Sequence, residues 1–377
     1  MDSGRFTVQR SALPWFQFKH HCTRLLYCLF FSSLLFLIPI PQAYCQILLW
    51  QTNSAGDDVH IIDIETKKLV KRLVVGPEPH GIAAPKKTNV VYISVEHKWK
   101  SQGELLWINP QTYQITHRIK VGKEPQAIAT TPDGQWIYVP CRDGYYWVVD
   151  GLKKQVVKKI YTGGRPHNTQ ASNDGRFMYL SPMGSKHQVS IVSIKDNHQV
   201  VGTIEFSDSL RPPALMANQQ YYFQHVDGLN GFEVANIPKR AVTAQIHHNN
   251  TLGYFTGIKR LGWINLDGLH RCHGLAIRRN QSEIWSTCGH HLNIHSLTGH
   301  TLEKNQQENF TYPATHHINL KDDGYWLTFS PNDRFAFIAL RDANEVVMID
   351  TTSKETITHL IVGEKPKRNL VIDINNK

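Results

Sequence analysis

EPHGIAAPKKTNVVYIS, residues Glu78 to Ser94, is a hairpin written in residue types. A Pro-His-Gly opens a run of alternating apolar residues, a Pro-Lys-Lys-Thr-Asn turn reverses it, and a second run ends in Tyr-Ile-Ser. Alternation with a period of two, bounded by turn formers, predicts two strands that each bury one face. The hairpin places a histidine, His80, at its mouth.

The same hairpin is written repeatedly. Second strands read ILLWQTN, VVYISV, WIYVPC, FMYLSP, YYFQH, EIWSTC and FAFIAL, and their aligned aromatics are Trp50, Tyr92, Tyr138, Tyr179, Tyr222, Trp285 and Phe337. The spacings are 42, 46, 41, 43, 63 and 52. A period in the low forties built from short strands predicts a propeller, with one four-stranded antiparallel sheet per blade. The third repeat parses as strand A (EPQAIATT), a TPDG turn, strand B (QWIYVPC), strand C (YYWVVDG) and strand D (QVVKKIYTG). β-branched and aromatic residues dominate, and Gly or Pro recurs every ten or so residues, which excludes a helical reading. ILLWQTN lacks a strand A before it, while KPKRNLVIDI, 365–374, is a strand A without a partner. Joining the two gives seven blades and a ring without a free edge. The expected architecture is therefore an all-β, seven-bladed β-propeller over residues 46–377, closed by its C-terminal strand.

Residues 1–45 differ in kind. Arg5, Arg10, Lys19 and Arg24 precede an apolar run, Leu25 to Ile40, and then PQAYC. This layout predicts a secretory signal peptide, with an uncleaved membrane anchor as the alternative; Pro39 and Pro41 interrupt the run, which is short for a span. The expected location is periplasmic or secreted, with membrane contact only through this segment. Removing four cations and one acid takes the formal net charge from +10 to +7. No run of five Lys or Arg occurs, so nucleic acid is not an expected partner. Of six cysteines, Cys141, Cys272 and Cys288 lie beyond the leader; there is no C-x-x-C and no C-x-x-C-H, which argues against a thioredoxin-like site and covalent haem.

With WQTNSAGDDVHIIDIETKKLVKRLVVGPEPHGIA as its best copy, the pattern resembles the YVTN β-propeller repeat, a family of mostly exported bacterial and archaeal proteins. The resemblance covers roughly 46–377 and is clearest in blades 1 to 4. It implies the fold; for function it implies only a range, from lactonases and lyases to surface-layer proteins.

In such a ring the head of strand A and the end of strand B share one face. The residues after the usual proline are His80, Gln126, His167, Pro213, His273, Tyr325 and Lys367, in blades 2 to 7 and then 1. His80, Gln126, His167, His273, Tyr325 and Lys367 are the candidate ligand-binding residues of a top-face channel mouth. His80, His167 and His273 are also a candidate metal triad for zinc or copper, since imidazole ligates both. The alternative is a polar spacer that binds water. Strand B ends add Asn53, Cys141, His225 and Cys288, and HRCHG with CGHH makes a Cys/His concentration in blade 6.

Catalytic motifs are absent: there is no G-x-S-x-G and no H-E-x-x-H. Acyl or lactone chemistry would have to use His80, His167, His273 or Arg165. The excess of blade 5, 247–270, is expected to roof the top face with Tyr254, Phe255, Trp263, Lys259 and Arg260; that of blade 6, 300–313, is expected to be a solvated loop. Aligning CHGLAIRRNQSEIWSTC with blade 3 makes Arg278 and Ser282 flank a three-residue loop, and Cys272 then faces Cys288. An exported chain favours a disulfide there; two buried thiols, or a metal held with His273 and His290, are the alternatives.

The functional expectation is a monomeric exported propeller that binds a small molecule or a protein at its top face without turnover. A lactonase- or lyase-like enzyme and a periplasmic metal or redox accessory protein are the alternatives.

Overall fold

The computed structural model describes residues 46–86, 89–248, 272–298 and 314–374. The expected signal segment and both excess loops, apart from His247 and His248, lie outside them.

Among the described residues, twenty-eight strands form seven four-stranded antiparallel sheets. Blade 1 uses β1 (Ile47–Asn53), β2 (Asp58–Asp63) and β3 (Lys68–Val74), with β28 (Pro366–Asp373) from the far end of the chain as its innermost strand. Blade 2 is β4 (Pro79–Ala83), β5 (Val91–Val95), β6 (Glu104–Ile108) and β7 (Ile115–Lys120). Blade 3 is β8 (Ala129–Thr130), β9 (Trp136–Pro140), β10 (Tyr145–Asp150) and β11 (Gln155–Tyr161). Blade 4 is β12 (Arg165–Ala171), β13 (Phe177–Met183), β14 (Gln188–Ser193) and β15 (Gln199–Glu205). Blade 5 is β16 (Leu210–Leu215), β17 (Tyr221–Val226), β18 (Gly231–Asn236) and β19 (Ala241–His247). Blade 6 is β20 (Cys272–Ile277), β21 (Glu283–Cys288), β22 (His291–Ser296) and β23 (His316–Asn319). Blade 7 is β24 (Gly324–Phe329), β25 (Phe335–Leu340), β26 (Glu345–Asp350) and β27 (Thr356–Ile361). Pairing of β28 with β1, Ile47 opposite Asp373 through Asn53 opposite Pro366, closes the ring.

Turn chemistry sets the reversals. At the C–D turns the side chain of Asp63, Asn109, Asp150 or Asp350 accepts backbone N–H bonds two and three residues on. Such local bonds offer the backbone a turn in place of a ladder.

The core is seven clusters, one at each junction between neighbouring blades. Alternation along strand B sends successive side chains to opposite junctions. Trp50 packs toward blade 2 and Leu49 toward blade 7; Trp285 packs toward blade 7 and Ile284 toward blade 5. By the same test the aromatic of blade 5 is Phe223, which packs toward blade 6, whereas Tyr222 stacks on Tyr179 of blade 4. The sequence alignment on Tyr222 is therefore one residue out. Three consecutive aromatics in YYF hide the parity that elsewhere distinguishes the two faces.

Candidate functional site

Strand pairing sets the heads of strands A against the ends of strands B: Pro366 opposite Asn53, Pro79 opposite Val95, Pro125 opposite Cys141 and Cys272 opposite Cys288. Both therefore lie on one face, called top here. A bulge follows in each case, and a hydroxyl holds it in three blades. Thr52 Oγ1 accepts the Arg368 N–H (3.0 Å) and is placed to donate to His80 O in the next blade (3.1 Å). Ser94 Oγ accepts the Gly81 N–H and donates to Gln126 O (2.7 Å), and Thr287 Oγ1 accepts the Gly274 N–H and donates to Gly324 O (2.7 Å). Gly81 must be glycine, because a Cβ there would stand 2.4 Å from Gln126 O. Blade 1 carries Arg368 at the equivalent position.

In blade 5, Leu210 pairs with Val226 as Pro366 pairs with Asn53. The residue that lines up with His80, His273 and Lys367 is therefore Arg211, and Pro213 lies two positions further on. The ring of heads reads Lys367, His80, Gln126, His167, Arg211, His273 and Tyr325.

Arg368 reaches across this ring. From blade 1 its guanidinium lies over the Trp326 ring of blade 7, 3.6 Å from the centroid, and Nη2–H donates to Asn168 Oδ1 of blade 4 (3.0 Å). The residue is 3% exposed. Its Nε–H finds no acceptor, and among the described residues no carboxylate lies within ion-pair distance of it. Burial lowers its pKa from 12.5 to about 10.

The three histidines are grouped around that cation. His80 and His167 meet edge to face at 5.6 Å, and His273 stacks on Tyr325 at 3.9 Å. Burial first, then the surrounding cations, hold all three pKa values well below the ordinary histidine range. For His80 the cations are Lys367, Arg368, Arg142 and Arg341; His167 and His273 also feel a neighbouring imidazole and Arg368. They are neutral at pH 7. His273 Nδ1–H donates to Tyr325 O (2.6 Å), His80 Nδ1–H to Glu96 Oε1, and His167 Nδ1–H to Asn168 Oδ1 (3.1 Å). The Nδ1–H tautomer leaves each Nε2 as an acceptor. Nε2 of His80 is buried without a partner, as are Asn168 Nδ2 and Gln126 Oε1. Lys367 Nζ donates to Glu96 Oε1 (2.6 Å) and completes a Lys–Glu–His chain.

Outside Lys367 the top face opens into a cavity of about 470 Å³ whose walls include Lys98, Trp99, Lys100, Arg341 and Lys365. Trp99 is almost fully exposed. Arg165 is exposed at the head of β12 and takes no part in the cluster. Sequence reasoning missed Arg368, Glu96, Asn168, Trp326 and Arg211. Arg368, Asn168, Trp326 and Arg211 are each one or two residues from a position it singled out, and only the bulge decides which of two neighbours turns inward; Glu96 directly follows strand B of blade 2, whose end was not singled out.

Cys272 and Cys288 are directly opposed, with Cα atoms 3.9 Å apart, and are joined as a disulfide. The register that led to this pairing differs from the one observed. Leu275 pairs with Ser286 and Ile277 with Ile284, and Arg278 N–H bonds Glu283 O, so the loop holds four residues. The bulge between Cys272 and Leu275 takes up the extra residue. His273 turns to the channel, and His290 pairs with Asp323 on the surface (3.2 Å), so neither approaches the sulfurs as the metal alternative required. Cys141 is a buried free thiol.

Fold and site define a seven-bladed β-propeller whose strand A heads gather three histidines around a buried arginine. Its solved structural neighbours are propeller-type proteins. Hydrazine synthase of Kuenenia stuttgartiensis is 19% identical over 81% of this chain and 92% of that one, TM-score 0.66. Dihydro-heme d1 dehydrogenase NirN, in complex with DHE, is 14% identical over 87% and 75%, TM-score 0.55. A Lactobacillus plantarum protein is 14% identical over 87% and 99%, TM-score 0.67. No protein-family model matches the chain, the YVTN repeat included, and no curated protein matches it in sequence.

Proposed function

We propose that the protein binds a small hydroxy acid at the top-face channel mouth and does not turn it over. The observation that carries this reading is Arg368, a buried cation without a carboxylate partner. A buried unpaired charge is costly, and an anionic ligand would supply the missing partner. Neutral histidines with Nε2 as acceptor suit a ligand that donates hydroxyl hydrogens beside its carboxylate. The cations that depress these histidines also disfavour a metal cation at His80, His167 and His273. Lys100 and Arg341 in the wall of the outer cavity would draw anions toward the mouth, whereas Lys98, Lys365 and Lys367 are paired with Glu78, Asp342 and Glu96.

Calorimetry with gluconate as the probe, against sorbitol and hexanoate, tests this. Gluconate should bind at least about tenfold more tightly than sorbitol, the worth of roughly one charge-assisted hydrogen bond, and Arg368→Met should abolish that difference; hexanoate, which keeps the carboxylate and lacks the hydroxyls, should also bind more weakly than gluconate. Equal binding of all three would refute the reading. The second reading, a lactonase-like enzyme, is favoured by the Glu96–His80 pair, which orients Nε2 as a general base would be oriented. Hydrolysis of gluconolactone above the spontaneous rate, lost in His80→Ala, would move the assignment there.

Export to a periplasmic or extracellular compartment, as a monomer, belongs to the same proposal. It rests on the basic-then-apolar leader and on a disulfide, which oxidising compartments maintain. Membership of the YVTN-type repeat is supported by WQTN itself, where Thr52 holds the bulge and Asn53 Nδ2 donates to Asp58 Oδ1 (2.8 Å).

A further inference from the structure

We propose that Cys272, Cys288, His225 and His248 form a redox-gated zinc site between blades 5 and 6, empty as the disulfide and filled as the dithiol. One donor atom from each of the four lies within 4.8 Å of all the others, and all four residues are buried. In a tetrahedral Cys₂His₂ site, ligand atoms stand about 3.3–3.8 Å apart, from zinc–ligand distances of ~2.0–2.3 Å. The set therefore needs to draw in by about 1 Å.

Four strands bring the donors together. β20 and β21 oppose the sulfurs. His225 lies one residue before the end of β17, and His248 directly follows β19, its backbone N–H bonded to Asn230 O (3.0 Å). The rings already aim at one point. Ser286 Oγ lies 2.9 Å from His225 Nε2, 2.9 Å from His248 Nε2 and 3.6 Å from Cys288 Sγ. A hydroxyl thus stands where three of the four donors converge, and rotation about its χ1 would vacate the place. His248 Nδ1 is 2.8 Å from His295 Nε2, which fixes the ring as an outer hydrogen bond fixes a metal-bound histidine. His225 Nδ1 has no partner although the residue is fully buried.

While the sulfurs are bonded to each other they cannot both ligate as thiolates. Reduction by a phosphine moves two electrons from phosphorus to the S–S bond; water supplies the oxygen of the phosphine oxide and the two protons that leave two thiols. Zinc then binds both sulfurs and releases two protons. With two thiolates and two imidazoles the site has no open position, which is the pattern of a structural ion.

The experiment uses the whole chain, reduced by a phosphine, freed of excess under argon and titrated with Co²⁺, then Zn²⁺. The expected result is one Co²⁺ per chain, with thiolate-to-cobalt charge transfer and tetrahedral d–d bands, displaced by one Zn²⁺. The unreduced protein should bind at least about a hundredfold more weakly, having lost both thiolates. His295→Ala should weaken binding roughly tenfold, Ser286→Ala should retain or tighten it, and His290→Ala should leave it unchanged. Equal cobalt binding before and after reduction, or no tetrahedral spectrum after reduction, would overturn the proposal, and neither reading needs a variant to fold. Unaltered binding in a folded His248→Ala variant would overturn it as well.

Discussion

Replacing Arg368 with methionine separates binding from stability, because the two should move in opposite directions. Burial lowers the Arg368 pKa from 12.5 to about 10, roughly 2.5 units, so holding its charge in the folded protein costs about 3 kcal/mol at 1.36 kcal/mol per unit. The guanidinium returns part of this outside that balance. Its stacking on Trp326 contributes ~1 kcal/mol, and its bond to Asn168 about as much. Asn168 Oδ1 is not orphaned by the change, since His167 Nδ1–H still donates to it (3.1 Å). Methionine fills most of the vacated length with a flexible apolar chain. The net expectation is a gain of about 1 kcal/mol for the ligand-free protein, read as a rise of ~1–3 °C in Tm. Thermal and denaturant unfolding at pH 8, where the channel histidines are neutral, would measure it. In the same assay gluconate at 100 times its Kd should stabilise the unaltered protein by about 2.7 kcal/mol and the variant not at all. A variant destabilised by more than ~2 kcal/mol would show Arg368 to be a structural strut across the ring, and the reasoning from an unpaired charge would fail.

Because burial lowers the pKa values of His80, His167 and His273, the unfolded chain takes up more protons than the folded one below pH ~6.5. Stability should be full above that pH and fall below it by up to about 4 kcal/mol per pH unit; urea midpoints that do not change between pH 7 and pH 5 would contradict this. Thr52→Val leaves the Arg368 N–H and His80 O without the hydroxyl and should cost about 1–3 kcal/mol in denaturant unfolding. Deleting residues 366–377 removes β28 and exposes β1 as an edge, so the truncated protein should aggregate or lose cooperative unfolding. A monomer that melts as before would refute closure by that strand.

The ring was legible in the sequence because each blade repeats one alternating hairpin, and the aromatic of strand B marks its register in six of seven copies. The exception, blade 5, shows what alternation alone cannot do. Tyr221, Tyr222 and Phe223 are all apolar enough to face either junction, and packing against Tyr179 or Phe232 decides between them. The channel mouth was legible only to the nearest residue. The head of each strand A is bulged, and a bulge turns one extra side chain inward without leaving a periodic trace. That is why Lys367 was singled out and Arg368 was not, although Arg368 reaches Asn168 and Trp326 while Lys367 is held at the rim by Glu96. Similarly, the cysteine pair was legible although the hairpin register behind it was one residue out, because the bulge between Cys272 and Leu275 restores the opposition; its companions were not legible. His225 and His248 lie 47 and 24 residues before Cys272 in the chain, and only the closing of blade 5 against blade 6 brings them within reach of it. A repeat announces the strands it is built from; the residues that do chemistry sit where neighbouring copies touch, and that contact is a property of the ring rather than of any one copy.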